Sequence, residues 1–149
     1  MKKKPKKKLT IQQLTEKARK KAVTLAKKIA VLLDKEICQH CGRSKLDGWQ
    51  MHGSHIYPEG VYKSMSADVD NILCLCATCH TGGFWKNSQK PSWHEDPCYF
   101  VFWFDRKYPE RSENLRLRSQ VPKSCDLMFW QDKYQDLKDQ LKKLLAPTP

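Results

Sequence analysis

No apolar run in this sequence approaches the roughly eighteen residues that a membrane span requires, because charges interrupt every candidate stretch. The Lys-rich start is not followed by an unbroken apolar segment, so no secretory signal is visible and the expectation is a soluble, cytoplasmic protein with no membrane partner. Internal repeats are absent, which sets aside solenoid and propeller architectures, and so are the glycine patterns of Walker-type and dinucleotide-binding loops. With 149 residues the chain is near the size of one domain, and two full domains are disfavoured.

What is present is enough for a small core: 40% hydrophobic residues, with five Trp. Charge is unevenly placed. Residues 1–37 hold 13 Lys and Arg against 3 acids, a net +10, whereas residues 38–149 hold 15 against 13, a net +2. Residues 1–9 read as a disordered basic arm, with six Lys around Pro5. Such an arm suits a polyanion, since each Lys that neutralises a phosphate releases counterions. Nucleic acid is the natural partner, anionic lipid is the second candidate, and a merely solubilising tail is the bland alternative.

Residues 10–36 read as a basic amphipathic helix. Ile11, Leu14, Ala18, Ala22, Leu25, Ile29 and Leu32 recur at spacings of three and four, and Thr10 with Gln13 can form a capping box. Lys17, Arg19, Lys20, Lys21, Lys27 and Lys28 lie off the apolar stripe, where they either follow a phosphate backbone or are simply solvated.

Of the seven cysteines, Cys38 with Cys41 and Cys76 with Cys79 form two C-x2-C pairs. Two residues between cysteines let both sulfurs face one point from a tight turn, and two such turns complete the tetrahedral thiolate shell of a structural Zn²⁺. Gly42 relieves the first turn. A disulfide framework fits poorly with an odd cysteine number and no export signal. Cys74 has the wrong spacing to Cys79, and Cys98 and Cys125 read as small buried hydrophobes. His40 reads as turn filler or a hydrogen-bond partner of a cysteine sulfur.

Between the staples run Met51-His52-Gly53-Ser54-His55-Ile56-Tyr57-Pro58-Glu59-Gly60 and Asp70-Asn71-Ile72-Leu73-Cys74-Leu75-Cys76-Ala77-Thr78-Cys79-His80. This order resembles the HNH endonucleases, the ββα-metal nucleases in which two C-x2-C pairs hold a structural zinc beside the active site. The likeness covers about residues 37–80. The basic helix leading into Cys38 and the His52-x-x-His55 arrangement look like phage recombination nucleases of the NinG type. Trp93-His94-Glu95-Asp96-Pro97 and the aromatic stretch to Arg111 are similar to the tail that follows the motif in phage-encoded relatives.

The resemblance implies that His55 is the general base of phosphodiester hydrolysis and that Asn71 holds the hairpin and orients that base. It implies that His80 ligates a catalytic divalent metal, Mg²⁺, Mn²⁺ or another ion. The family commonly places a ligand immediately before the base, where this chain has Ser54. His52, two residues earlier on the same strand face, is the substitute. The family's second helix histidine falls on Phe84. After the Gly82-Gly83 interruption and an insertion through Lys90-Pro91, His94 is the proposed displaced ligand.

Asp96 and Pro97 mark the start of a helix carrying Phe100, Trp103, Phe104 and Tyr108, which Pro109 ends, although the run from Tyr99 to Phe104 fits a strand by composition. Leu115-Arg116-Leu117-Arg118 is a basic patch, read as phosphate contact or solvated loop. From about Asp126, Leu127, Trp130, Tyr134, Leu137, Leu141 and Leu144 describe a final amphipathic helix that packs on the first one, with homodimerisation through its seam as a further expectation.

The expected architecture is α+β: a small ββα-metal (HNH) core, residues 37–111, stapled by a four-cysteine zinc site. The basic helix precedes it, and residues 112–149 supply a linker and the C-terminal helix. The expected function is a metal-dependent DNA endonuclease of phage-type DNA processing or recombination. The alternatives are a non-catalytic zinc-stapled DNA-binding module derived from the same scaffold and, more distantly, a zinc module that binds acidic proteins.

Overall fold

In the computed structural model, residues 8–82, 91–121 and 123–147 are described. Residues 1–7 of the basic arm, together with Gly83, Phe84 and Lys90, lie outside them. The elements run α1 (Ile11–Leu33), β1 (Met51–His55), β2 (Ile72–Cys76), α2 (Ala77–Thr81), α3 (Pro97–Lys107), α4 (Pro109–Ser119) and α5 (Leu127–Leu145). The fold is α+β, with a two-stranded antiparallel sheet among the described residues.

The start of α1 is the capping box read from the sequence: the Gln13 N–H donates to Thr10 Oγ1, and the Thr10 N–H donates to Gln13 Oε1. The helix buries Ala22, Val23, Ala26, Ile29 and Ala30. Its first turns differ from the predicted stripe, because Ile11 is 75% and Leu14 37% exposed, and Ala18 is the first stripe residue packed against the core. The small side chains let α1 lie directly on the hairpin. At Gly53 a Cβ would stand 2.8 Å from the Cβ of Lys27 and 3.0 Å from its Cα.

Strand β2 is buried along its whole length and divides the core. Ile72 joins the cluster of α1 with Trp130 and Leu137 of α5, while Leu73 and Leu75 join Cys38, Cys76 and Cys79 with Phe100, Phe104 and Leu115. Side chains of a strand alternate between faces, so this short hairpin seats α1 on one side and the zinc-knuckle and α3 cluster on the other. The register is Met51 opposite Cys76 through His55 opposite Ile72.

Asp96 accepts from the Tyr99 N–H and Pro97 occupies the first helical turn, which settles the aromatic run as helix α3 rather than strand. Pro109 does end that helix, and it also starts α4. The Leu115–Arg118 patch is therefore helical, a correction to the loop reading. Leu115 is buried, Arg116 pairs with Glu113, and Arg118 bonds Asp68 at 2.7 Å and Asp70 at 2.8 Å, so both guanidinium charges are engaged within the chain. The seam of α5 packs on α1, as expected, and Trp130 and Leu137 are buried there. That intrachain contact uses the surface that dimerisation would require. Cys98 is exposed and Cys125 half-buried, so neither is the buried hydrophobe expected.

Candidate active site and metal centre

The first knuckle forms where an isolated bridge pairs Ile37 with Ser44, the Cys38 N–H donates to the Arg43 carbonyl at 2.8 Å, and the Gly42 N–H donates to the Cys38 carbonyl at 2.9 Å. Gly42 takes φ +78°, a left-handed conformation that glycine adopts without steric penalty. The second knuckle is the junction of β2 and α2, with Cys76 capping the helix and Cys79 inside it.

The four Sγ atoms of Cys38, Cys41, Cys76 and Cys79 lie within 4.8 Å of one another, and Cys41 and Cys76 approach to 3.6 Å. A tetrahedral zinc with Zn–S near 2.3 Å sets its sulfurs about 3.8 Å apart, so the cluster fits that ion with little adjustment. A hydrogen bond from Cys79 holds the Cys38 thiol down at about 4, far below the ordinary thiol range, and the Cys79 thiol is raised in turn. His40 sits beside the cluster with Nδ1 3.3 Å from Cys79 Sγ and its ring against Phe100 and Trp103. Cys74 is outside the cluster. Its N–H donates to Asp34 Oδ2 at 2.8 Å, and burial pushes its thiol up to about 12.

His55 ends β1. Its Nε2 lies 2.7 Å from the Ser66 carbonyl. A carbonyl can only accept, so Nε2 carries the proton and a neutral ring keeps its lone pair on Nδ1. That nitrogen is 3.7 Å from Glu59 Oε2. The same carboxylate accepts from Arg19 Nη1 at 2.7 Å and has Lys27 Nζ at 3.7 Å, so two cations of α1 reach the neighbourhood of His55 through Glu59. Burial lowers the His55 basicity below the ordinary imidazole value, Lys27 and Arg19 lower it further, and the Ser66 carbonyl and Glu59 act against them.

Asn71 is fully buried at the turn before β2 and uses its whole amide. Oδ1 accepts from the Tyr57 N–H at 2.8 Å, and Nδ2 donates to the Tyr57 and Met65 carbonyls, both at 3.1 Å. The loop that follows His55 is thereby tied to the turn that carries Ser66. Arg111 reinforces the same turn by donating to the Asp70 and Ile72 carbonyls at 2.7 and 2.8 Å.

The three histidines His52, His80 and His94 form a row. His52 and His80 bring their Nδ1 atoms to 3.0 Å, and the His80 and His94 rings stand edge to face at 4.8 Å between centroids. The Trp93 N–H donates to the Cys79 carbonyl and the His94 N–H to the His80 carbonyl, which lays His94 beside the end of α2. Burial, with His94 and His52 adding to it, lowers His80 to about 4 and keeps it neutral, the form that binds metal. Among the described residues the donor atoms of these three do not close on one point as the sulfurs do. The 3.0 Å between the Nδ1 atoms of His52 and His80 is a spacing that two ligands of one cation can have. Ser54 is buried.

Glu59, Ser66, Asp34 and Arg111 take part in this region without having been singled out in the sequence. Glu59, four residues after His55, left a sequence signal; the others act through folds of the chain that no local pattern encodes.

A zinc-compatible four-cysteine cluster, a two-stranded hairpin ending in a histidine, and a helix beginning at the second cysteine pair define a small ββα-metal unit. Residues 38–82 match the family described as HNH endonuclease. No curated protein and no solved structure matches the chain.

Proposed function

We propose that the protein is a metal-dependent DNA endonuclease of phage-type DNA processing or recombination. The observation that carries this reading is the fixed tautomer of His55, whose Nε2 is committed to the Ser66 carbonyl and whose Nδ1 is left to act as a base. His55 Nδ1 takes the proton of the attacking water, and Asn71 positions it by locking the loop that carries Tyr57 to the turn that carries Ser66. His80 and His52, with His94 completing the set, would hold a divalent cation, which supplies charge stabilisation to the scissile phosphate and the leaving oxygen when bound. The imidazolium formed at His55 faces Glu59, so the positive charge gained during attack meets a carboxylate. Structural Zn²⁺ on the four cysteines would fix β2 and α2, and with them Asn71 and His80.

A second reading, a DNA-binding module that kept the scaffold and lost hydrolysis, is favoured by the buried Ser54 at the position before His55 and by the row-like spacing of the three histidines. Incubation of supercoiled plasmid with the purified chain separates the two. Nicking with Mg²⁺ or Mn²⁺ that stops on chelation, and ends that carry a 5′-phosphate, are expected of the nuclease. DNA binding with no nicking in any divalent metal establishes the module instead.

A further inference from the structure

A groove of about 1220 Å³ opens between the first half of α1, the turn at Lys63 and the start of α5. Lys17, Arg19, Lys20, Lys21, Lys28 and Lys63 line it, and Glu16 is the acid among its walls. Arg19 and Lys20 are engaged with Glu16 at 2.8 and 3.9 Å. Lys17, Lys21, Lys28 and Lys63 are exposed and have no carboxylate partner among the described residues. Four ammonium groups without an ion-pair partner along one trough create a positive potential that suits a repeating anion.

Two further features narrow the occupant. Arg19 lines one side of the groove, and its guanidinium bonds Glu59, whose carboxylate stands 3.7 Å from His55 Nδ1, so one side chain links the groove wall to the neighbourhood of the candidate base. Its aromatic residues are not free stacking platforms. Trp130 is 1% exposed and donates to the Cys125 carbonyl, and the Tyr134 ring has the ammonium groups of Lys21 and Lys138 near it at 6.0 and 5.9 Å. The groove thus offers charge and hydrogen-bond donors to phosphates and no open ring to bases.

We infer that this groove seats the phosphate backbone of DNA flanking the phosphodiester presented to His55, through Lys17, Lys21, Lys28 and Lys63, without reading base sequence. The inference rests on the nuclease reading for the position of the scissile bond, but its binding chemistry is measured separately from cleavage.

The test is fluorescence anisotropy of the full chain with a 30-base-pair duplex over a salt series, in buffer without added divalent metal. The fourfold variant Lys17→Gln, Lys21→Gln, Lys28→Gln, Lys63→Gln is compared with a second variant of equal charge away from the groove, Arg106→Gln, Lys133→Gln, Lys142→Gln, Lys143→Gln. Each lost phosphate contact removes about 0.9 from the slope of log affinity against log salt, so the groove variant loses about 3 to 4 from that slope and at least ~30-fold in affinity near 100 mM salt. The second variant stays within about threefold of the parent, and duplexes of unrelated sequence bind alike. Equal losses in the two variants, or none in the first, overturn the groove. Binding to phosphatidylserine vesicles or to a poly-glutamate peptide that depends on the four lysines, where duplex binding does not, also overturns it and assigns the trough to that anion. A chain that binds duplex through these lysines but cuts nothing leaves the groove standing and removes the nuclease reading; a chain that cuts while the fourfold variant binds unchanged does the reverse.

Discussion

Arg19 and Glu59 meet at 2.7 Å across forty residues of sequence, the guanidinium coming from α1 and the carboxylate from the loop beyond His55. The pair joins the basic helix to the hairpin that carries the candidate base. The Glu59 carboxylate is held below its ordinary range: burial raises it, but the Arg19 bond, Lys27 and His55 outweigh that. It is therefore ionised at neutral pH, where it offsets two cations that would otherwise act on His55.

From this follows a pH dependence with a defined sign. A base whose value lies below the ordinary 6.5 is neutral and competent at and above that pH, and activity falls as pH drops through the lowered value. Glu59→Gln removes a group that raises His55 and leaves Lys27 without its carboxylate, while Arg19 keeps Glu16. The acid limb of the cleavage profile should move to lower pH, and the plateau rate should fall several-fold because the base is weaker. A limb that does not move would show that Glu59 serves only to anchor α1.

Asn71→Ala should destabilise the fold by roughly 3 kcal/mol in urea unfolding, because the Tyr57 N–H and the Tyr57 and Met65 carbonyls lose their buried partners together. Asn71→Asp should not rescue it, since a carboxylate cannot donate to the two carbonyls.

Zinc content measured by mass spectrometry should be one ion per chain in the parent and in Cys74→Ala, and well below one in Cys41→Ser and Cys79→Ser. The binding energy of structural zinc sites, roughly 10–16 kcal/mol in small zinc-folded peptides, is comparable with the whole stability of a domain. Losing the ion should therefore unfold the segment between the knuckles. Cys74→Ala should cost only about 1 kcal/mol, because it removes one small buried atom.

Gly53→Ala introduces a Cβ at 2.8 Å from Lys27 Cβ and 3.0 Å from its Cα, and a backbone atom cannot swing aside. Helix α1 must lift from β1, at about 1–3 kcal/mol. Arg19 and Lys27 ride on that helix, so thermal stability and cleavage should fall together. Unchanged melting would mean that the contact relaxes elsewhere.

Much of this was legible in the residues themselves. The capping box of α1, the Asp96-Pro97 start of α3 and the period of α5 are local signals, and the two C-x2-C pairs carry their geometry in their spacing. Asn71 stood in a motif, and its three hydrogen bonds follow from the amide's dual chemistry. What was not legible depends on chain segments meeting in space. The Leu115–Arg118 patch read as phosphate contact or solvated loop because the sequence does not display Asp68 and Asp70 as partners of Arg118. Lys35 and Glu36 adopt φ of 55° and 56° in succession, a conformation disfavoured for both residue types by about 1–2 kcal/mol each, held by bonds such as the Glu36 N–H to the Val31 carbonyl. No propensity announces that turn.

The central claim is that His55 Nδ1 is the base of metal-dependent strand cleavage, and the most direct measurement is the single-turnover nicking rate of His55→Ala beside the parent, at equal zinc content and equal duplex affinity. The expected result is a loss of at least ~100-fold with the metal requirement of the parent preserved. A variant that nicks at the parental rate, while folded and zinc-loaded, would contradict the account and move the base elsewhere.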